Sequence, residues 1–122
     1  MNLRVIKIIG MMSILSTNKI TVYCSTYNSL EWIDGYLNNI NSQICNPFDL
    51  IFVDALSSDG SFDRINSFKF NNHINVSIYQ PGYLSVYGAW NYAVSKSNTD
   101  YVMNFNTDDR LNFNTLSIYQ NE

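Results

Sequence analysis

Near the carboxyl end of this 122-residue chain, the run Asp100-Tyr101-Val102-Met103-Asn104-Phe105-Asn106-Thr107-Asp108-Asp109 carries an apolar strand straight into two adjacent acids. Folding alone gives no reason to end a buried strand this way. Neighbouring carboxylates repel, and desolvating them is costly unless a cation or hydrogen-bond donors compensate. A strand tip offering Asn106, Asp108 and Asp109 suits a hard divalent cation, which prefers oxygen ligands.

A second strand ends in the same manner. Phe48-Asp49-Leu50-Ile51-Phe52-Val53 stops on Asp54, and the loop Ala55-Leu56-Ser57-Ser58-Asp59-Gly60-Ser61 follows. A strand, an acid, a small polar loop and then a helix commonly build a ligand site at the carboxyl edge of a parallel sheet.

The elements that position these acids are readable from periodicity. Ile20–Ser25 is β-branched and apolar, a first strand. Asn28 or Ser29 caps a helix over 29–43, with Leu30, Ile33, Leu37 and Ile40 on its buried face. The second strand is 48–53. Ser61 caps a short helix to about Phe68, with Phe62 and Ile65 inward. The third strand runs from Ile74 to Tyr79. After Pro81-Gly82 a third helix, with Val86, Ala89, Trp90 and Ala93 as its stripe, ends near Ser97. The fourth strand is Tyr101–Phe105, and residues 111–119 make a last short helix. Trp90, Trp32 and Tyr36 are expected to pack. This β-α-β-α-β-α-β order predicts an α/β fold, a mostly parallel sheet with helices on both faces.

Size and composition set further bounds. The chain is one domain or part of one. Its 46% hydrophobic content supports a core. With 7 Lys+Arg, a formal charge of −3 and no basic run, nucleic-acid binding is not expected. Cys24 and Cys45 are too few for a zinc site, and Cys24 within a strand reads as a packed thiol. Residues 1–17 form an N-terminal extension ahead of the 18–122 domain. The stretch Leu3–Leu15 is broken by Arg4 and Lys7, too interrupted for a membrane span, and no good signal-peptide cleavage site follows. Met11 and Met12 are alternative starts. A cytoplasmic location is expected, with peripheral membrane association as the alternative.

Several nucleotide-site readings fail on the residues. The turn after the first strand, Ser25-Thr26-Tyr27-Asn28, has no glycine for a dinucleotide fingerprint. There is no Gly-Lys-Ser/Thr for a phosphate loop and no Gly-x-Ser-x-Gly for a hydrolase elbow. Four blocks, over roughly residues 18–113, instead resemble a family 2 glycosyltransferase of the Rossmann-like GT-A fold. Ser25-Thr26-Tyr27-Asn28 resembles that family's Pro-Thr-Tyr-Asn turn. Val53–Ser61 resembles its Val-Asp-Asp-Gly-Ser-Thr-Asp-Gly-Thr block, with Ala55 and Leu56 in place of an acid and a glycine. Ser85–Ala93 resembles the Gly-Ile-Tyr-Asp-Ala-Met-Asn-Lys-Gly helix, with Tyr92 replacing the basic residue. Phe105–Asp109 resembles the DXD block in its Asn-Ser-Asp-Asp form.

The resemblance implies a sugar transferase using a nucleoside-diphosphate sugar, most simply a UDP-sugar, with Mn²⁺ or Mg²⁺ as cofactor. It implies that Asp108, with Asn106, holds the metal and diphosphate. Asp54 takes the base edge, and Thr26 and Tyr27 flank the base. Asp59, Tyr87 and Asn91 complete the donor site, with Asn106 also near the ribose. Asp109 is the one nearby candidate for a catalytic base. The acceptor, whether glycan, lipid or small molecule, stays open, as does inverting or retaining stereochemistry. Family members usually continue well beyond the DXD block, so a fragment or a homo-oligomer that completes its acceptor site from a neighbour is expected. Two rival readings stand beside this one: a nucleotide-sugar-binding module without catalysis, and a structural α/β domain without a ligand.

Overall fold

The computed structural model describes residues 17–122. The expectation for residues 1–17 therefore falls almost wholly outside the described residues.

The order of elements is β1 (Ile20–Thr26), α1 (Leu30–Asn41), β2 (Phe48–Asp54), α2 (Ser61–Ser67), β3 (Ile74–Tyr79), α3 (Val86–Lys96), β4 (Tyr101–Asn104) and α4 (Thr115–Gln120). The strands pair in parallel in the order β3-β2-β1-β4. The fold class read from the sequence is the one observed, and the strand limits agree to within a residue.

The sheet is buried where the sequence is most apolar. β2 is central and buried at every position, which suits its nearly unbroken apolar run. Its alternate residues serve two cores. Phe48, Leu50 and Phe52 join Ile20, Val22 and Cys24 of β1 beneath α1, α2 and α4, which supply Ile33, Tyr36, Ile65 and Leu116. Ile51 and Val53 face the other way and meet Ala89 and Ala93 of α3. Three helices thus cover one face and one covers the other.

Some helix faces differ from the expected stripe. Leu30 at the start of α1 is exposed, and Tyr36 takes its place in the core. Tyr36 stacks on Phe105 with ring centroids 4.6 Å apart and donates its hydroxyl proton to the Phe105 carbonyl at 2.9 Å. In α2, Ser61 is buried with Ile65, while Phe62 is only half-buried. In α3, only Ala89 and Ala93 are buried, and Val86 is exposed. Small side chains on that helix let its backbone lie close to the sheet, which pushes larger neighbours to the flanks.

Connectivity fixes where a ligand can enter. The chain runs β1 to β2 to β3 toward one edge. It then crosses back through α3 to place β4 on the far side of β1. The order of strands therefore reverses between β1 and β4, and the carboxyl ends of these two neighbours mark the topological switch point at which ligands of open α/β sheets bind.

Candidate functional site

The loops at the carboxyl ends of β1 and β2 are tied together by side chains. Asn28 takes a left-handed backbone, φ 48°. Its amide donates to Ser57 Oγ at 2.8 Å, and its Oδ1 accepts from the Ser58 amide at 2.8 Å. Asp59 joins the same network from the other side. Its Oδ2 accepts from the Leu30 amide at 3.0 Å and its Oδ1 from the Ser61 amide at 3.0 Å. One carboxylate thus serves the amino ends of α1 and α2 together, where donors lack intrahelical partners. Neither helix is capped by its own N-cap side chain, Ser29 or Gly60. This corrects the expectation that Asn28 or Ser29 caps α1 and Ser61 caps α2. Desolvation raises the Asp59 pKa, but the hydrogen bonds from Ser61 and Leu30 outweigh it and hold the carboxyl below its ordinary 3.8.

Asp54 lies beneath this network with no solvent exposure. Thr26 Oγ1 and Ser57 Oγ both donate to its Oδ1 at 2.6 Å. The Ser57 amide donates to Oδ2 at 2.8 Å, and Gln80 Nε2 reaches the same oxygen at 2.9 Å from beyond β3. Four donors fill the roughly four acceptor sites of a carboxylate. Asp54 therefore joins the loops that follow β1, β2 and β3. Leu56, in the same loop, has φ 63°, a left-handed backbone that suits glycine.

The strand-end acids of β4 form a tight turn. The Asp109 amide donates to the Asn106 carbonyl at 3.0 Å, and Asp109 Oδ2 accepts from the Asn106 amide at 3.1 Å. Arg110 holds this turn to α1. It donates to the Thr107 carbonyl at 2.7 Å, the Asp109 carbonyl at 2.6 Å and the Trp32 carbonyl at 3.3 Å. Beneath it, the buried Tyr36–Phe105 bond fixes the strand end. Leaving that carbonyl unsatisfied costs about 1–3 kcal/mol. Burial pushes the neighbouring Cys24 thiol up to about 12, against a lowering by Tyr36. The charges of Asp109 and Asp108 add to the rise.

One cleft of about 400 Å³ opens at the switch point. Thr26 and Tyr27 line it from β1, Asn106, Thr107 and Asp108 from the β4 turn, and Ser85, Val86, Ala89 and Trp90 from α3. Asp108 is exposed and has no hydrogen-bond partner among the described residues. Among the described residues, no Lys or Arg lines the cleft. The amino end of α3 faces it, with Ser85 as N-cap accepting from the Gly88 amide at 3.0 Å. That end carries the partial positive charge of the helix. Outside the lining residues, Tyr83 Oη donates to Tyr27 Oη at 3.3 Å, and the rings meet edge-on with centroids 5.5 Å apart. The Tyr83 hydrogen bond, with smaller contributions from its charge and from desolvation, raises the Tyr27 pKa.

Of the residues nominated by the sequence, Thr26, Tyr27, Asn106 and Asp108 share this cleft. Asp54 and Asp59 support the loops around it, and Asp109 closes the turn that presents Asp108. Tyr87 and Asn91 do not line it. Each lies two residues from Ala89, about 200° around α3 from the face that meets the sheet. Tyr87 instead packs edge-on against Trp90, centroids 5.3 Å apart, and Asn91 faces solvent. Gln80, Ser57, Tyr83 and Arg110 were missed. Only Ser57 lay inside a recognised block, and the others carry no local pattern.

Among the described residues, no group of three or more His, Cys, Asp or Glu side chains could hold a metal by itself. Asp108, the carboxylate among the described residues that line the cleft, fits a different arrangement. Mg²⁺-type ions are usually held by one or two carboxylates together with substrate phosphates. Asp108 suits an ion shared with a diphosphate, with Asn106 beside it. None of the described helices is long and apolar enough to cross a membrane.

A parallel α/β domain with an acid-tipped cleft at its switch point belongs to the Rossmann-like class, and here its form is that of the GT-A core. The chain belongs to glycosyl transferase family 2, whose profile matches residues 21–120. Similar solved structures agree with the fold. S. aureus TarS residues 1–349 superimposes with a TM-score of 0.73 at 26% identity, covering 83% of this chain and 31% of that one. The same protein in complex with UDP gives 0.72 at 24% identity, covering 83% and 30%. The mannosyltransferase PcManGT from Pyrobaculum calidifontis, in complex with GDP-Man and Mn²⁺, gives 0.70 at 21% identity, covering 85% and 32%. This chain thus spans about a third of the length of those structures. A comparison with curated protein sequences finds no match.

Proposed function

We propose that this domain binds the donor of a metal-dependent glycosyl transfer, a nucleoside-diphosphate sugar with UDP-sugar as the first candidate. The observation that carries the reading is Asp108: an exposed carboxylate without a hydrogen-bond partner among the described residues, at a cleft that no Lys or Arg among them lines. A diphosphate entering such a cleft meets a like charge, and only a bridging cation turns that repulsion into attraction. TarS structures with UDP and UDP-GlcNAc, and PcManGT with GDP-Man and Mn²⁺, share the fold and support this reading.

In this account Asp108 and Asn106 would hold Mn²⁺ or Mg²⁺. The bound ion supplies Lewis-acid neutralisation of the charge on the departing nucleoside diphosphate. The remaining work belongs to the chain. The amino end of α3 favours the negative diphosphate through its partial charge. The Asn106–Asp109 turn, braced by Arg110 and Tyr36, fixes the direction of Asp108. Tyr27 flanks the base. Asp109 spends one oxygen on the Asn106 amide. Its other oxygen is the candidate that would take the acceptor's proton. The acceptor site would come from chain beyond this domain or from a second copy in a homo-oligomer.

The test is donor turnover without acceptor. The purified chain, incubated with UDP-GlcNAc and Mn²⁺, is expected to release UDP slowly. Chelation and Asp108→Asn should each reduce that release at least about 100-fold, since loss of one charge-stabilising group typically costs ~3 kcal/mol of barrier. Metal-independent release, or release unchanged in Asp108→Asn, contradicts the proposal. Metal-dependent binding with no turnover in any oligomeric state would favour the binding-module reading.

A further inference from the structure

The sheet leaves one edge open beside an apolar groove. β4 pairs with β1 and, among the described residues, has no strand on its other side. The Tyr101 and Phe105 amides donate to the Lys19 and Tyr23 carbonyls at 3.2 and 3.0 Å. Alternation along the strand therefore turns the peptide groups of Val102 and Asn104 outward. Edge strands are commonly shielded by a charge, a proline, a bulge or a covering segment. Tyr101-Val102-Met103-Asn104 carries no charge and no proline, and its register with β1 is unbroken. The flanking Lys19 is turned aside, its ammonium donating to the Gln120 carbonyl at 2.9 Å and the Glu122 carbonyl at 2.6 Å. A covering segment is the remaining device.

The groove shows what kind of cover suits it. Its volume is about 660 Å³, and its walls include Lys19, Ile20, Tyr101, Val102, Asn104 and Tyr119. Tyr101 is 60% and Tyr119 50% exposed, and Val102 is exposed as well. Asn104 Nδ2 is buried and has no hydrogen-bond partner among the described residues, so it calls for an acceptor. Apolar walls, outward peptide groups and an orphan amide suit an extended polypeptide with aliphatic side chains and free carbonyls.

The chain carries such a stretch at the groove's own end. Lys19 and Ile20 line the groove, and the residues just upstream of them are markedly apolar. Of the thirteen residues 3–15, nine are Leu, Ile, Val or Met, so removing them from water is favourable. Their charges, Arg4 and Lys7, are opposite in sign to Asp100 at the start of β4 and Glu122 in the groove wall. Thirteen extended residues reach roughly 40 Å, against about 13 Å for a four-residue strand. A short tether also gives the segment an effective concentration of about a millimolar, which a second copy does not match at ordinary dilution.

We propose that residues 3–15 dock along the open edge of β4 and fill this groove. β1 and β4 are parallel and level at their amino ends, so a segment leading into β1 lies antiparallel to β4. Its backbone pairs with Val102 and Asn104, and its aliphatic side chains cover Tyr101 and Tyr119. Docking steadies the strand whose far end carries the Asn106–Asp109 turn. It holds whether or not the cleft takes a nucleotide.

Hydrogen–deuterium exchange on the full chain tests the docking, with Ile6→Asp/Ile8→Asp as the variant that removes apolar contacts. The Val102 and Asn104 amides should be protected in the parent, independently of protein concentration. They should exchange at least about 10-fold faster in the variant, since burying one large aliphatic side chain is worth that much or more. Arg4 and Lys7 also offer trypsin two sites within the segment. Cleavage there should be slow in the parent and at least about 10-fold faster in Val102→Asp, which charges the groove from an exposed position. This second readout decides the matter if the double variant fails to fold. Free exchange at Val102 and Asn104 in the parent overturns the proposal, and so does protection or trypsin resistance that the variants leave unchanged. Protection that grows with concentration, together with a dimer in sedimentation, overturns it in favour of a second copy at the same edge.

Discussion

Gly35 and Arg110 are in contact across 75 residues of sequence: a methyl group built on Gly35 would sit 2.5 Å from Arg110 Nη2. The absence of a side chain at that point on α1 makes room for the guanidinium, which reaches the Trp32, Thr107 and Asp109 carbonyls. The acidic turn is thereby fastened to a helix that never touches the cleft. Gly35→Ala is expected to displace the end of Arg110 while the fold persists, because a flexible side chain can move. Alanine also favours the helix by about 1 kcal/mol over glycine. The melting temperature should therefore hold or rise, while the Kd for UDP with Mn²⁺ increases several-fold. Arg110→Ala should weaken binding similarly. Thermal unfolding and calorimetry on both variants check this, and undiminished affinity in both would refute the fastening role.

Asp59 gives the fold a pH dependence with a definite sign. Its folded pKa lies below the ordinary 3.8. The stability it contributes is therefore present above the unfolded value and is lost as pH falls through the folded one. Between pH 5 and 7 Asp59→Asn should be less stable than the parent, because the amide keeps one acceptor oxygen where the carboxylate has two. The gap between wild type and variant should close as pH drops below 3.8 toward the folded value. Urea unfolding of the two proteins across that range gives the comparison. A gap that widens on acidification would contradict the assignment.

Leu56 occupies the position where the resembling block has glycine, and its φ of 63° shows why glycine suits it. A non-glycine residue in this region costs about 1–2 kcal/mol. The Leu56 side chain is 48% exposed, so little packing offsets the cost. Leu56→Gly is expected to be neutral or to stabilise the domain by up to about 1 kcal/mol, after the entropy of a freer unfolded chain is allowed for. Denaturant midpoints at constant m-value measure it, and a loss above about 1 kcal/mol would mean that the leucine packs more than its exposure implies.

How much of this was legible in the residues depended on the range of the interactions. β2 was plain because Phe48–Val53 is a continuous apolar run, and its burial at every position is what such a run demands. The stripes of α1 and α3 were found, but Leu30 and Val86 lie at helix ends, where periodicity does not say that the partner surface has run out. Asp54 and Asp108 look alike in sequence, each an acid at a strand end. What separates them is Gln80, Thr26 and Ser57, which gather on Asp54 and leave Asp108 bare. That difference arises from loops distant in sequence, as does the pairing of Gly35 with Arg110. Tyr83 fell outside every recognised block, and only its contact with Tyr27 marks it. Strand order was likewise absent from the pattern, since the return of β4 to the far side of β1 is decided by the α3 crossover.

The central claim is that Asp108 makes the cleft a metal-dependent nucleotide-diphosphate site. Calorimetric titration of UDP into the purified chain, with and without Mn²⁺, tests it most directly when repeated on Asp108→Ala. The side chain is exposed and has no hydrogen-bond partner among the described residues, so the variant should fold as the parent does. The account predicts binding only with Mn²⁺ and its loss in Asp108→Ala. Equal affinity with and without the metal, or unchanged affinity in the variant, would contradict it.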